Sequence, residues 1–167
     1  PPSYRMPALR EFRVELAFDR MEEKEETETE SEALAGKRLL LAEDDRLCGE
    51  ILCELLEDET GRPVSITANG RAALEMFESA NGEYDAIIMD VQMPVMNGYE
   101  AARAIRRSGC GNAKTVPIIA LTADASEESA RSAADSGMNG CLTKPVNIDR
   151  LRKAVAAALK SLSVAYR

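Results

Sequence analysis

Histidine and tryptophan are absent from these 167 residues, and aromatics make up only 4% of them. Without His, neither Ser/His nor Cys/His nucleophilic catalysis is available, and the commonest imidazole metal ligand is missing. The four cysteines, Cys48, Cys53, Cys110 and Cys141, show no C-x-x-C spacing, so neither a zinc site nor a redox dithiol is expected. They read as reduced thiols packed as small hydrophobes, as in a cytosolic protein. No apolar run approaches the ~18 residues of a membrane span, and the sequence shows no signal-peptide pattern. The expectation is a cytoplasmic fragment that makes no membrane contact itself, within a parent protein that is free to be membrane-anchored. No basic stripe stands out either, which disfavours direct nucleic-acid binding.

Apolar residues supply 45% of the chain, an ordinary globular share, and the length suits one domain plus a tail. The net charge of −8 is unevenly placed. Residues 19–32 hold eight acids against Arg20 and Lys24, a net −6, so the remainder carries only −2. Before that stretch, Phe12, Val14, Leu16 and Phe18 alternate at period two, as in a strand with one buried face. The spacing therefore predicts an N-terminal extension over 1–18. An acidic, solvated and partly helical linker follows over 19–35.

From Gly36 the rhythm changes. Short apolar runs at Arg38–Ala42, Val64–Thr67, Ala86–Met89, Pro117–Leu121 and Gly140–Thr143 read as strands. Between them lie helical patterns: Leu47, Ile51, Leu52, Leu55 and Leu56; Ala73, Leu74 and Phe77; Ala101, Ala102 and Ile105. Ser126 is expected to cap a fourth helix and Asn147 a fifth, the latter carrying Leu151, Val155, Leu159 and Leu162. Five strands alternating with five helices describe a doubly wound α/β domain with a parallel sheet, spanning 36–163, with a tail at 164–167.

Ligands in such sheets bind beyond the carboxyl ends of the strands. Glu43 and Asp44 follow the first strand, Asp90 ends the third, Thr122 ends the fourth and Lys144 follows the fifth. Three clustered carboxylates repel one another unless a cation compensates, and an all-oxygen donor set with room for waters suits Mg²⁺. Metal, ammonium and hydroxyl around an ionised Asp are the groups that phosphoryl transfer requires. Asp45, one residue further on, reads as a solvated loop acid rather than a ligand.

From Gly36 to Ser163 the chain resembles the receiver domains of two-component response regulators. The motifs that carry the resemblance are Leu-Leu-Leu-Ala-Glu-Asp over 39–44 and Ile-Met-Asp-Val-Gln-Met-Pro over 88–94, then Leu-Thr-Ala over 121–123 and Leu-Thr-Lys-Pro over 142–145. The resemblance implies a flavodoxin-like sheet with strand order 2-1-3-4-5. It implies Asp90 as the phosphoacceptor, charged from a phosphohistidine on a partner. Asp44 and Asp90 would then be direct Mg²⁺ ligands, joined by Glu43 through water and by the Gln92 backbone carbonyl. Thr122 would bond the phosphoryl group and move with it, Lys144 would form an ion pair, and the Lys144–Pro145 bond would be cis.

Two departures matter. Residue 141, an aromatic switch position in the family, is Cys141, so the family's ring rotation cannot occur there. Gln92 and Asp124 match variable positions that tune how readily water reaches the acyl phosphate, which implies a modified phosphoryl lifetime. The Glu43–Asp44 pair, in place of Asp-Asp, is frequent in receivers fused to sensor kinases. The Phe12–Leu16 segment resembles the closing strand of a histidine kinase ATP-binding domain. Together these favour the receiver end of a hybrid sensor kinase, with a stand-alone regulator as the runner-up. No DNA-binding output module is expected after the last helix, and no kinase motif lies in the chain.

A receiver catalyses its own phosphorylation and dephosphorylation, while the expected parent is a histidine kinase. The partners implied are a phosphohistidine domain, in cis or in trans, and a histidine phosphotransfer protein. Leu47 and Cys48 on the first helix are either a partner surface or core. A homodimer through the last helix competes with simple packing of that helix on the sheet. An aspartate-nucleophile phosphatase would also use Asp, Mg²⁺ and Lys, but Asp90-Val91-Gln92 lacks the second acid of its D-x-D motif.

Overall fold

The computed structural model describes residues 29–165. The expected strand at Phe12–Phe18 and the most acidic part of the linker lie outside the described residues. Five parallel strands form one sheet in the order β2-β1-β3-β4-β5. They are β1 (Leu39–Ala42), β2 (Ser65–Thr67), β3 (Ala86–Asp90), β4 (Ile118–Thr122) and β5 (Gly140–Thr143). The helices between them are α1 (Arg46–Thr60), α2 (Gly70–Ser79), α3 (Gly98–Arg107), α4 (Glu127–Asp135) and α5 (Ile148–Ala165). The last helix thus runs two residues past the expected domain end at 163, because neither Val164 nor Ala165 is a helix breaker.

The three central strands are buried along their whole length, as their unbroken apolar runs require. Their side chains divide by the period of two. Leu40, Ala42, Ile87, Met89, Ile118 and Ala120 meet α2, α3 and α4 through Leu74, Phe77, Ala102, Ile105 and Ala133. Leu39, Leu41, Ala86, Ile88, Ile119 and Leu121 meet α1 and α5 through Leu52, Leu56, Leu151 and Val155. Each helix begins at a side-chain cap. Asp45, Asn69, Asn97 and Ser126 accept N–H groups from the first turns of α1 to α4, and Asn147 accepts those of Asp149 and Arg150 in α5. At the far end of α1, Gly61 takes the left-handed conformation (φ 66°) and donates its N–H to Glu57 O.

One reading of the sequence is revised and one left open is decided. Residues 29–34 are helical, in keeping with a partly helical linker, but docked rather than solvated: Leu34 is fully buried against the α1–α5 side of the sheet. Gly36 N–H donates to Thr60 O and Ser31 Oγ to Glu59 Oε2, which fixes the segment to the end of α1. Ala33 and Leu34 supply an apolar pair at the end of the acidic run, and burying it outweighs solvation of the flanking acids. On α1, Leu47 and Ile51 follow the helical spacing but are 66% and 50% exposed, and Cys48 is exposed as well. Ile66 on edge strand β2 is exposed as well.

Candidate functional site

The carboxyl ends of β1, β3 and β4 lie side by side, since Ala42 is in register with Met89 and Asp90 with Leu121. Glu43 and Asp44 leave β1 there, Asp90 ends β3 and Thr122 ends β4. Glu43, Asp90 and Thr122 are 3%, 4% and 5% exposed, while Asp44 is open to solvent. Burial of two acids at one sheet edge requires compensation. Part of it comes from Lys144, whose Nζ lies 2.9 Å from Asp90 Oδ2 and 2.8 Å from Glu43 Oε2. Burial pulls the Lys144 ammonium down, but its hydrogen bonds to Asp90 and Glu43 outweigh that and hold it above the ordinary lysine value. The Lys144–Pro145 bond that turns the loop here is cis.

Backbone donors complete the arrangement. Gln92 N–H donates to Asp90 Oδ1 at 3.1 Å and Asp45 N–H to Glu43 Oε1 at 3.1 Å. Gly98 closes the loop after Asp90 by donating to Val91 O. A Cβ on residue 98 would overlap the Asp90 carbonyl oxygen, so only glycine permits this approach.

The donors suit a hard cation. Oxygens of Glu43, Asp44 and Asp90 lie within 4.8 Å of one another. Glu43 and Asp90, both buried, share the single Lys144 ammonium. Two buried carboxylates on one countercharge, all-oxygen donors and a solvent-open third acid match a small divalent cation that keeps several waters. Asp45 is no part of the cluster. Its side chain caps α1 through Cys48 N–H at 2.8 Å, and that bond holds its carboxyl below the ordinary aspartate value.

The two positions expected from the resemblance to tune hydrolysis, Gln92 and Asp124, stand further out. Gln92 is exposed beside Asp44 in an open cavity that Met93, Asn97 and Tyr99 also line. Asp124 N–H donates to Thr122 Oγ1 at 3.2 Å. The Asp124 carboxylate accepts from Ser126 N, Ser126 Oγ and Ser129 Oγ at the start of α4. Those bonds, the Ser126 hydroxyl first, hold its carboxyl below the usual range. Cys141 lies on β5 in register with Ala120, and burial, with the Asp124 carboxylate adding to it, raises its thiol above the ordinary cysteine value. Sequence reasoning does not reach Tyr99; the only signal is an aromatic residue directly after the Asn97-Gly98 turn.

Residues 39–156 match the family described as the response regulator receiver domain. Over 143 residues the chain is 36% identical to a rice protein, "Probable histidine kinase 2" of Oryza sativa subsp. indica. That match covers 78% of this chain and 14% of the rice protein, so the chain spans about one seventh of that relative's length. Among solved structures, the receiver domain of a sensor histidine kinase from Pseudomonas aeruginosa is 35% identical, with TM-score 0.64, covering 75% of this chain and 99% of that one. It was solved with a magnesium ion coordinated in the active site cleft. The receiver domain of a Saccharomyces cerevisiae response regulator, crystallised with a histidine phosphotransfer signaling protein, is 32% identical, with TM-score 0.65 and coverage of 73% and 88%. The motif-bearing strand ends, the sheet order and these likenesses agree: the chain belongs to the response regulator receiver domain family of two-component systems.

Proposed function

We propose that Asp90 is the phosphoacceptor of this receiver, taking a phosphoryl group from a phosphohistidine on a partner protein. The observation that carries the reading is the placement of Asp90: a buried carboxylate held by Gln92 N–H on one oxygen and Lys144 Nζ on the other. Both donors fix its orientation at the mouth of the sheet. In the transfer, an Asp90 oxygen–phosphorus bond forms as the phosphorus–nitrogen bond of phosphohistidine breaks. The electron pair stays on the imidazole nitrogen, which takes up a proton.

Mg²⁺ fits the donor set, held by Glu43, Asp44, Asp90 and the Gln92 backbone carbonyl. When bound, it neutralises charge on the phosphoryl oxygens. Lys144 adds a second positive group, and Thr122 offers a hydroxyl to a phosphoryl oxygen from the adjacent strand end. Gln92 and Asp124 flank the approach that water would take to the acyl phosphate.

We place the chain within a larger histidine kinase, because the rice relative carries its matching segment as 14% of a histidine kinase. A histidine phosphotransfer protein is the partner kind this reading favours, supported by the yeast complex. Incubation with Mg²⁺ and acetyl phosphate is expected to add one phosphoryl group to the chain by mass, and Asp90→Asn to abolish it. Persistent labelling of that variant would sink the assignment.

A further inference from the structure

We propose that Tyr99 responds to the state of Thr122 through the first turn of α4 in this chain, in place of the aromatic ring that position 141 lacks. The proposal rests on the phosphoacceptor reading above. Tyr99 stands in the first turn of α3 and lines the cavity shared by Asp44, Gln92 and Met93, so one side of its ring belongs to the site. Its hydroxyl reaches the other way, to Ser129 O on α4, at 3.5 Å.

Ser129 is already tied to the site. Its Oγ donates to Asp124 Oδ2 at 2.9 Å, and Asp124 N–H donates to Thr122 Oγ1. A continuous chain of polar contacts therefore runs from Thr122 through Asp124 and Ser129 to Tyr99. When the Thr122 hydroxyl turns towards a phosphoryl group on Asp90, the Asp124 N–H that it accepts must follow or lose its partner. The Asp124 carboxylate holds Ser126, the cap of α4, and Ser129 Oγ, so α4's first turn moves with it, and the partner of the Tyr99 hydroxyl moves in turn.

Room for the ring is provided by Cys141. Tyr99 and Cys141 pack on the same core cluster, and a thiol occupies far less space than the aromatic it replaces. Burial raises the Tyr99 hydroxyl above the ordinary tyrosine value, with Cys141 and Asp124 adding to the effect, as expected of a ring close to both. The long bond to Ser129 O is weak and exchangeable, which suits a contact that has to switch.

Fluorine NMR of the full chain labelled with 3-fluorotyrosine tests this, with Tyr99→Phe assigning the resonance among four tyrosines. Mg²⁺ with beryllofluoride, a phosphoryl mimic, is the probe, and the Gln92 amide reports its binding. The Tyr99 resonance is expected to shift in the native chain and to stay in place in Thr122→Ala. A stationary Tyr99 resonance alongside shifted Gln92 and Thr122 amides overturns the relay while leaving Asp90 as acceptor. An equal Tyr99 shift in Thr122→Ala also overturns it. Stationary amides throughout overturn the phosphoacceptor reading itself, and the relay with it.

Discussion

Lys144, in the loop after β5, places its Nζ 2.9 Å from Asp90 Oδ2 at the end of β3, across 54 residues of sequence. That ammonium competes with any cation for the same carboxylates, since it also lies 2.8 Å from Glu43 Oε2. Lys144→Ala is expected to tighten Mg²⁺ binding roughly tenfold, equivalent to about 1.4 kcal/mol. The same change removes the ion pair that the phosphoacceptor proposal expects to couple the site, once phosphorylated, to the β5 loop. Calorimetry measures the first effect. An unchanged pattern of phosphorylation-induced NMR shifts would contradict the second.

Arg152 clamps Glu59 through two guanidinium nitrogens, joining α5 to the end of α1 where Ser31 also donates. Both charged side chains are mostly buried, at 10% and 15% exposure. Arg152→Ala leaves Glu59 without its countercharge and is expected to cost ~3 kcal/mol in urea unfolding at pH 7. The hydrogen bond from Arg152 holds the Glu59 carboxyl below its ordinary value. A depressed folded-state value contributes stability above the unfolded value, near 4.5, and loses it as pH falls through the folded value. The gap between native and variant should therefore narrow on acidification below about pH 4. A gap independent of pH would show that the pair contributes only by packing.

Leu34 is fully buried with Leu52, Leu56 and Val155, although it ends an acidic stretch. Leu34→Ala is expected to destabilise the domain by ~2–4 kcal/mol. Glu32→Ala, an exposed neighbour, should stay within about 0.5 kcal/mol of the native chain. Equal, small effects from both variants in thermal unfolding would mean that residues 29–34 are not part of the folded unit.

Val95, in the loop between Asp90 and α3, adopts a φ of 68° while 82% exposed. Met96 N–H donates to Pro94 O across it at 2.7 Å, a tight three-residue turn. A β-branched side chain at this positive φ is strained, whereas glycine adopts it freely. Val95→Gly is expected to stabilise the domain by ~1 kcal/mol, little apolar burial being lost. A lower urea midpoint for the variant would count against strain at this position.

Periodicity was enough to show the alternation of strands and helices, because buried parallel strands need apolar runs and each crossover needs an amphipathic helix. Caps at Ser126 and Asn147 were equally local, since a cap acts within one turn of its own helix. The strand-end chemistry at Glu43, Asp44, Asp90, Thr122 and Lys144 was legible for the same reason: a parallel sheet sends every carboxyl end to one edge. Leu34, Leu47 and Ile51 were not legible. Whether an apolar side chain is covered depends on what another part of the chain lays over it. α1 and α5 cover Leu34, whereas Leu47 and Ile51 remain exposed.

Sequence by itself determined the fold class and the residues at the strand ends, since both follow from local patterning. Only the tertiary structure decided that Lys144 reaches Glu43 and Asp90 together, that Arg152 clamps Glu59, and that Tyr99 stands between the site cavity and Ser129. Those contacts depend on the relative placement of elements far apart in the chain, which is set by packing of the whole core rather than by any one segment.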